Sequence, residues 1–149
     1  MIREMTAADL LTVKEIIETT GLFPSEMAAP ALHGGSEAER WLVIEDKAPI
    51  GVAYVAPEQM TEGTWNLYLI AVHADRQGSG AGSKLISDIE EMLAGEDQRI
   101  LLVETSGNEG FEQTRQFYLN KGYTEEARIR EFYGEGEDKI VFWKKLQGA

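Results

Sequence analysis

Apolar and polar residues along the chain follow two periods, and these divide it into helices and strands. After a short strand, Ile2–Met5, the residues Leu10, Val13 and Ile17 share one helical face, so residues 7–20 predict a first helix. Thr6 stands at the N-cap position with Asp9 three residues on, and Gly21 stands where a helix stops. Residues 22–40 keep no period. Ser25 would cap a short helix there, and Pro30 and Gly34–Gly35 would break it, which suits a substrate-facing lid or a surface connection. Trp41–Glu45 and Ile50–Ala56 read as strands joined by a turn at Asp46–Pro49, an antiparallel hairpin. Thr64–Val72 follows as a long third strand. Leu85, Ile86, Ile89, Met92 and Leu93 then hold a helical period to Ala94, with Gly95 as the stop.

Arg99–Thr105 is a run of strand length, apolar enough to be covered on both faces. A strand, helix, strand unit of this kind is a right-handed crossover, so 64–72 and 99–105 should be parallel. Phe111–Lys121 predicts another helix, closed by Gly122. Tyr123–Phe132 and Asp138–Leu146 are two late strands joined through residues 133–137. The fold class is α/β: one domain over residues 1–149, with a mixed, mostly antiparallel sheet of about seven strands and helices on both faces.

Composition narrows the function. The 149 residues are 43% hydrophobic and 27% charged, which is globular. Cysteine is absent, which excludes disulfides, thiolate metal sites and a cysteine nucleophile. The first residues carry charges where a signal peptide needs an apolar core, and no apolar run approaches the roughly 20 residues that span a bilayer. A cytoplasmic protein with no membrane association is expected. The net charge of −12 argues against nucleic acid and is compatible with a cationic substrate, although acidity also serves solubility alone. No metal is expected.

The densest chemical signal lies between the third strand and the helix after it. Gln77-Gly78-Ser79-Gly80-Ala81-Gly82 leads into a helix N-terminus, where amides lack intrahelical partners and the dipole is positive. Glycines there let backbone approach an anion. The spacing is neither that of the nucleoside-triphosphate loop nor that of the dinucleotide fingerprint.

What the turn does resemble is the coenzyme A site of the GNAT superfamily of N-acetyltransferases, whose signature is Gln/Arg-x-x-Gly-x-Gly/Ala at the start of the central helix. The order of elements is similar over essentially the whole chain, and Phe117-Tyr118-Leu119-Asn120-Lys121-Gly122-Tyr123 is similar to the family's Tyr-x-x-x-Gly-Phe element. The resemblance implies that acetyl-coenzyme A lies between the strands 64–72 and 99–105. Backbone groups at Ile70, Ala71 and Val72 would meet the pantetheine arm, and the amides from Gln77 to Gly82 the pyrophosphate. It implies direct attack by an amine, with Tyr118 protonating the leaving thiolate.

Glu104 is the carboxylate best placed to act as base, with a structural ion pair or a helix-cap acceptor as its other reading. Asn66 and Tyr68 share a strand face and could hold a relaying water. Family members often carry an acidic residue on this strand, and Thr64–Val72 has none. Where the family commonly has an Asn seven residues before the Tyr, this chain has Phe111; Asn108 is the candidate substitute. His73 and His33 read as surface residues. The acceptor would be a small-molecule or peptide amine, drawn by Glu26, Glu37, Glu39, Glu131, Glu135, Glu137 and Asp138. Trp65, Tyr54, Phe23 and Tyr133 could shape its pocket or belong to the core. Such folds commonly dimerise through the late strands, so a homodimer is possible. The other functional class is a coenzyme A-binding sensor without turnover.

Overall fold

A computed structural model describes residues 2–21 and 38–146. Among them are seven strands: β1 (Ile2–Glu4), β2 (Arg40–Asp46), β3 (Ala48–Pro57), β4 (Thr64–Val72), β5 (Ile100–Ser106), β6 (Thr124–Gly134) and β7 (Glu137–Lys145). Three α-helices accompany them: α1 (Leu10–Thr20), α2 (Ala81–Gly95) and α3 (Glu112–Asn120). The strands form one mixed sheet in the order β1-β2-β3-β4-β5-β7-β6, so the fold is α/β. The contacts divide the chain into two compact units, Met1–Pro57 with Tyr68–Met92, and Glu58–Leu67 with Leu93–Ala149. Of the candidate lid at residues 22–40, residues 22–37 lie outside the described residues, with Phe23, Ser25, Glu26, His33 and Glu37 among them.

In the first unit β1, β2 and β3 form an antiparallel ladder. Val13, Ile16 and Ile17 of α1 are buried against Trp41, Val43, Val52, Leu69 and Ala71. The helical stretch begins as a 3-10 turn over Ala7–Asp9 rather than as α-helix. Asp9 explains the entry. Its carboxylate accepts the Thr6 N–H at 2.8 Å and two Arg3 N–H bonds at 2.7 and 2.9 Å, which ties the helix start to β1. Gly21 closes α1 in a left-handed conformation, φ +66°. The hairpin between β2 and β3 is tighter than the predicted turn at Asp46–Pro49. Asp46 pairs with Ala48 across a single Lys47 at φ +71°, and a bulge between Ile44 and Glu45 absorbs the mismatch.

In the second unit β5 is central. It pairs in parallel with β4 from Thr64↔Ile100 to Leu67↔Val103, as a crossover requires, and antiparallel with β7. Leu101, Val103, Tyr118, Tyr123, Ile140 and Phe142 are buried. Gly95 is not the stop of α2 but its last residue. Asp97 takes the left-handed position at φ +62° instead, with the Gln98 and Asp97 amides donating to the Leu93 and Ala94 carbonyls at 2.9 and 3.1 Å. A Schellman closure needs φ > 0 one residue past the cap, and Asp tolerates it. The late hairpin is also tighter than residues 133–137. Gly134 pairs with Glu137, leaving Glu135 and Gly136 (φ +78°) as the loop. β6 ends the sheet and is exposed along its length.

Candidate active site

The glycine turn lies in the first unit. The Lys84 N–H donates to the Gly80 carbonyl at 3.0 Å, which makes Gly80 the residue before the helix and leaves the amides of Ala81, Gly82 and Ser83 ahead of the first closed turn. Gly78 and Gly80 have φ of +80° and +88°, and a Cβ built on either meets nothing within 4 Å. The turn is therefore shaped by backbone that only glycine adopts without strain, beside open space. Side chains brace it from behind. The Gln77 amide donates to the Val72 carbonyl at 3.2 Å, and the Ser79 hydroxyl donates to the Arg76 carbonyl at 2.5 Å. The flanking cations have carboxylate partners: Arg76 on Asp46 at 2.7 Å and Lys84 on Asp88 at 3.2 Å. Ala71 is buried, and Ile70 and Val72 are half-buried.

The second unit holds Glu104, and it is not a lone carboxylate. Its Oε2 accepts a hydrogen bond from Asn66 Nδ2 at 2.6 Å, and its Oε1 lies 3.3 Å from Lys139 Nζ. The same Asn66 nitrogen donates to Glu58 Oε1 at 2.9 Å. Lys139 is only 8% exposed, and its ammonium lies 3.7 Å from the centroid of the Phe132 ring. Burial pushes the Tyr133 phenol up to about 12, and the fields of Glu104 and Glu137 add to the shift. Asn66 Oδ1 is buried with no hydrogen-bond partner. Glu58 and Lys139 were not among the candidates drawn from the sequence. The available signal was a lysine in strand β7 two residues from the apolar Val141, on the edge that faces β5.

Tyr118 is buried in an aromatic cluster. Its ring lies 5.6 Å from the rings of both Tyr123 and Phe142 and 5.3 Å from that of Phe117. Burial raises its pKa well above that of an ordinary phenol. Phe142 pairs with Val103, whereas Glu104 pairs with Val141, one residue along. Directly paired residues share a face and neighbours alternate, so Tyr118 packs on the face of the β5–β7 ladder opposite to Glu104. The two candidates thus come to one unit but to different faces. Asn108 is fixed through its backbone: its N–H donates to the Ser106 hydroxyl at 3.1 Å, and its carbonyl accepts from Arg115 at 2.8 Å. Arg115 also donates to the Ser106 carbonyl, so this one guanidinium shapes the loop after β5.

Other sequence candidates have structural work. His73 Nδ1 accepts the Asp75 N–H at 3.1 Å, capping the 3-10 turn Ala74–Arg76. Trp65 is buried and donates to Gln98 at 2.8 Å. Tyr54 stacks on Trp41 at 4.7 Å. Several late acids hold the hairpin. Asp138 accepts from Arg128 and from the Glu131 N–H, Glu131 accepts from the Gly136 N–H, and Glu137 accepts from the Ser106 hydroxyl.

A model of the acetyltransferase (GNAT) domain matches residues 37–125, a span that includes β4, the glycine turn, β5 and Tyr118. The chain belongs to the GNAT acetyltransferase family. A GNAT-family protein from Desulfovibrio desulfuricans is 33% identical, with 98% of each chain covered and a TM-score of 0.86. The fold of this GNAT protein is also that of the ribosomal-protein-S18-alanine N-acetyltransferase of Escherichia coli, at 19% identity over 100% of this chain and 95% of that one (TM-score 0.83). An aminoglycoside 6'-N-acetyltransferase complexed with coenzyme A has a TM-score of 0.81 at 14% identity, with 100% of this chain and 98% of that one covered. No curated protein sequence matches the chain. Among the described residues of this GNAT protein, no helix is long and apolar enough to cross a membrane.

Proposed function

We propose that the protein is an acetyl-coenzyme A-dependent N-acetyltransferase that acts on a primary amine by direct attack in a ternary complex. The observation that carries this is the glycine turn, whose left-handed Gly78 and Gly80 leave open space before the free amides of α2. That is a fit for a pyrophosphate: no Cβ intervenes, and the amides at the helix start need an acceptor. In this reading the backbone from Gln77 to Gly82 holds the phosphates. Ile70, Ala71 and Val72 contribute backbone to the pantetheine arm, and Asn108 adds a contact to the coenzyme. The bound coenzyme supplies a thioester.

The chain's own groups handle the protons. The attacking nitrogen forms its bond to the acetyl carbon and gives a proton to Glu104. The carbon–sulfur bond breaks and the thiolate takes the Tyr118 proton. The buried phenol is protonated at neutral pH, as an acid must be.

Thiol release from acetyl-coenzyme A across a panel of primary amines tests the reading. Wild type should release thiol with at least one amine, and Tyr118→Phe should lower turnover by about 10²–10⁴-fold while the coenzyme still raises the melting temperature. Stabilisation by the coenzyme without thiol release from any amine would show a binding module. No stabilisation at all would refute the coenzyme site.

A further inference from the structure

The late hairpin parts near its tip. Ile129 pairs with Lys139 and Gly134 with Glu137, so residues 130–133 stand opposite Asp138 alone. Within that surplus Glu131 is left-handed, φ +54°, a conformation that a residue with a Cβ adopts only at a cost. The gap is an open cavity of about 720 Å3 lined by Arg128, Ile129, Arg130, Glu131, Gly136 and Asp138, all within the second unit.

The acids of this cavity are already engaged. Asp138 Oδ1 accepts the Glu131 N–H at 2.9 Å, and its Oδ2 accepts from Arg128 at 2.6 Å. Those two bonds, with the more distant charge of Arg130, hold the Asp138 carboxyl below its usual range, so it is ionised at neutral pH. Glu131 Oε1 accepts the Gly136 N–H at 3.1 Å. The donors are what is left over. Arg128 gives one of its five N–H groups to Asp138, and among the described residues Arg130 is in no ion pair and no side-chain hydrogen bond. Ile129, 44% exposed, adds an apolar wall.

A guanidinium fork matches a carboxylate or a phosphate with two parallel hydrogen bonds. A cation would approach two arginines and find both carboxylates engaged. The cavity also exceeds a bare ion and falls in the range that holds small organic ligands. We propose that it binds a small organic oxyanion, a carboxylate or a phosphate ester, gripped by Arg130, with Arg128 as second donor and Ile129 against the apolar part. In this role Glu131 and Asp138 build an anion site rather than attract a cationic acceptor. The site shares no residue with those assigned to the coenzyme or to acetyl transfer, and it does not depend on that reading.

Titration of the isotope-labelled protein with succinate and with phenyl phosphate, followed by amide NMR shifts at constant ionic strength, tests it. With a net charge of −12 the protein as a whole repels anions, so a saturable response confined to residues 128–138 reports the cavity. Saturation by at least one of the two is expected, and the tighter one tells carboxylate from phosphate. Arg130→Gln should weaken binding about tenfold or more, the scale of a lost charge-assisted hydrogen bond. Arg130→Lys should restore only part of the loss, because an ammonium keeps the charge without the fork. Arg130 is exposed, so both variants should fold as wild type and bind coenzyme A unchanged. No saturable shift with either anion, shifts scattered over the whole surface, or wild-type affinity in Arg130→Gln overturns the proposal. So does displacement of the bound anion by coenzyme A, which would put it in the coenzyme site.

Discussion

Gly80→Ala separates what the glycine turn does for the fold from what it does for the ligand. Gly80 sits at φ +88°, and a Cβ there meets no protein atom within 4 Å. The cost to the fold is therefore conformational and not steric. A left-handed conformation costs a non-glycine residue about 1–2 kcal/mol. Alanine recovers about 0.4–1 kcal/mol by restricting the unfolded chain. The net loss is about 1 kcal/mol, or about 3 °C in melting temperature for a chain of this length. Under the proposed pyrophosphate assignment the coenzyme should lose more, because the methyl group would enter the open space beside the turn. Loss of one or two charge-assisted hydrogen bonds corresponds to roughly 10–100-fold in affinity. Thermal melts with and without coenzyme A measure both effects, and Gly95→Ala serves as a control. Gly95 ends α2 with φ outside the positive range and nothing within 4 Å of an added Cβ, so alanine there should stabilise by about 0.5–1 kcal/mol and leave coenzyme binding untouched. If Gly80→Ala lowers stability as stated yet keeps wild-type coenzyme affinity, the turn is only structural and the pyrophosphate assignment fails.

Two further outcomes concern the fold. Arg3 and the Thr6 N–H hold the Asp9 carboxyl well below the usual carboxylate range, so its stabilisation is fully present above the ordinary Asp value and is lost as pH falls toward the folded value. Asp9→Asn should cost about 2 kcal/mol at pH 7 in denaturant melts and flatten the fall in stability below about pH 4; an unchanged acid limb would contradict the Asp9 network. Phe142 is fully buried against Tyr118, so Phe142→Ala should cost about 3–5 kcal/mol, and an intact melt within 1 °C of wild type would show that the cluster is not the core of its unit.

Most of the architecture was legible because it rests on periodicity and crossover chirality. Val13 and Ile17 point one way in any helix, and β4, α2 and β5 can pair in only one hand. The sequence misled where tertiary demands outweighed local ones. Gly95 looks like a helix stop, but closure needs a left-handed residue two positions later and Asp97 could supply it. The turn at Asp46–Pro49 shrank to Lys47 because a bulge let both strands keep pairing to their ends. The conformation of the glycine turn and the helix that carries Tyr118 were legible because each is a local pattern. The Glu58–Asn66–Glu104–Lys139 group was not, because its members come from four separate segments and no spacing links them. Glu104 is ion-paired with Lys139, a partner that its own strand does not announce.

Lys139 bears on a hazard that such an enzyme creates for itself. A protein that holds an activated acetyl group beside a primary amine can modify its own lysines. Lys139 lies on the carboxylate assigned to the acceptor, yet it is 8% exposed, its nitrogen is committed to Glu104, and the Phe132 ring covers it. A nitrogen so enclosed is shielded from any acyl donor that arrives from solvent. Under the proposed acetyl transfer, the ion pair that holds Glu104 would therefore also keep Lys139 from competing with the incoming amine.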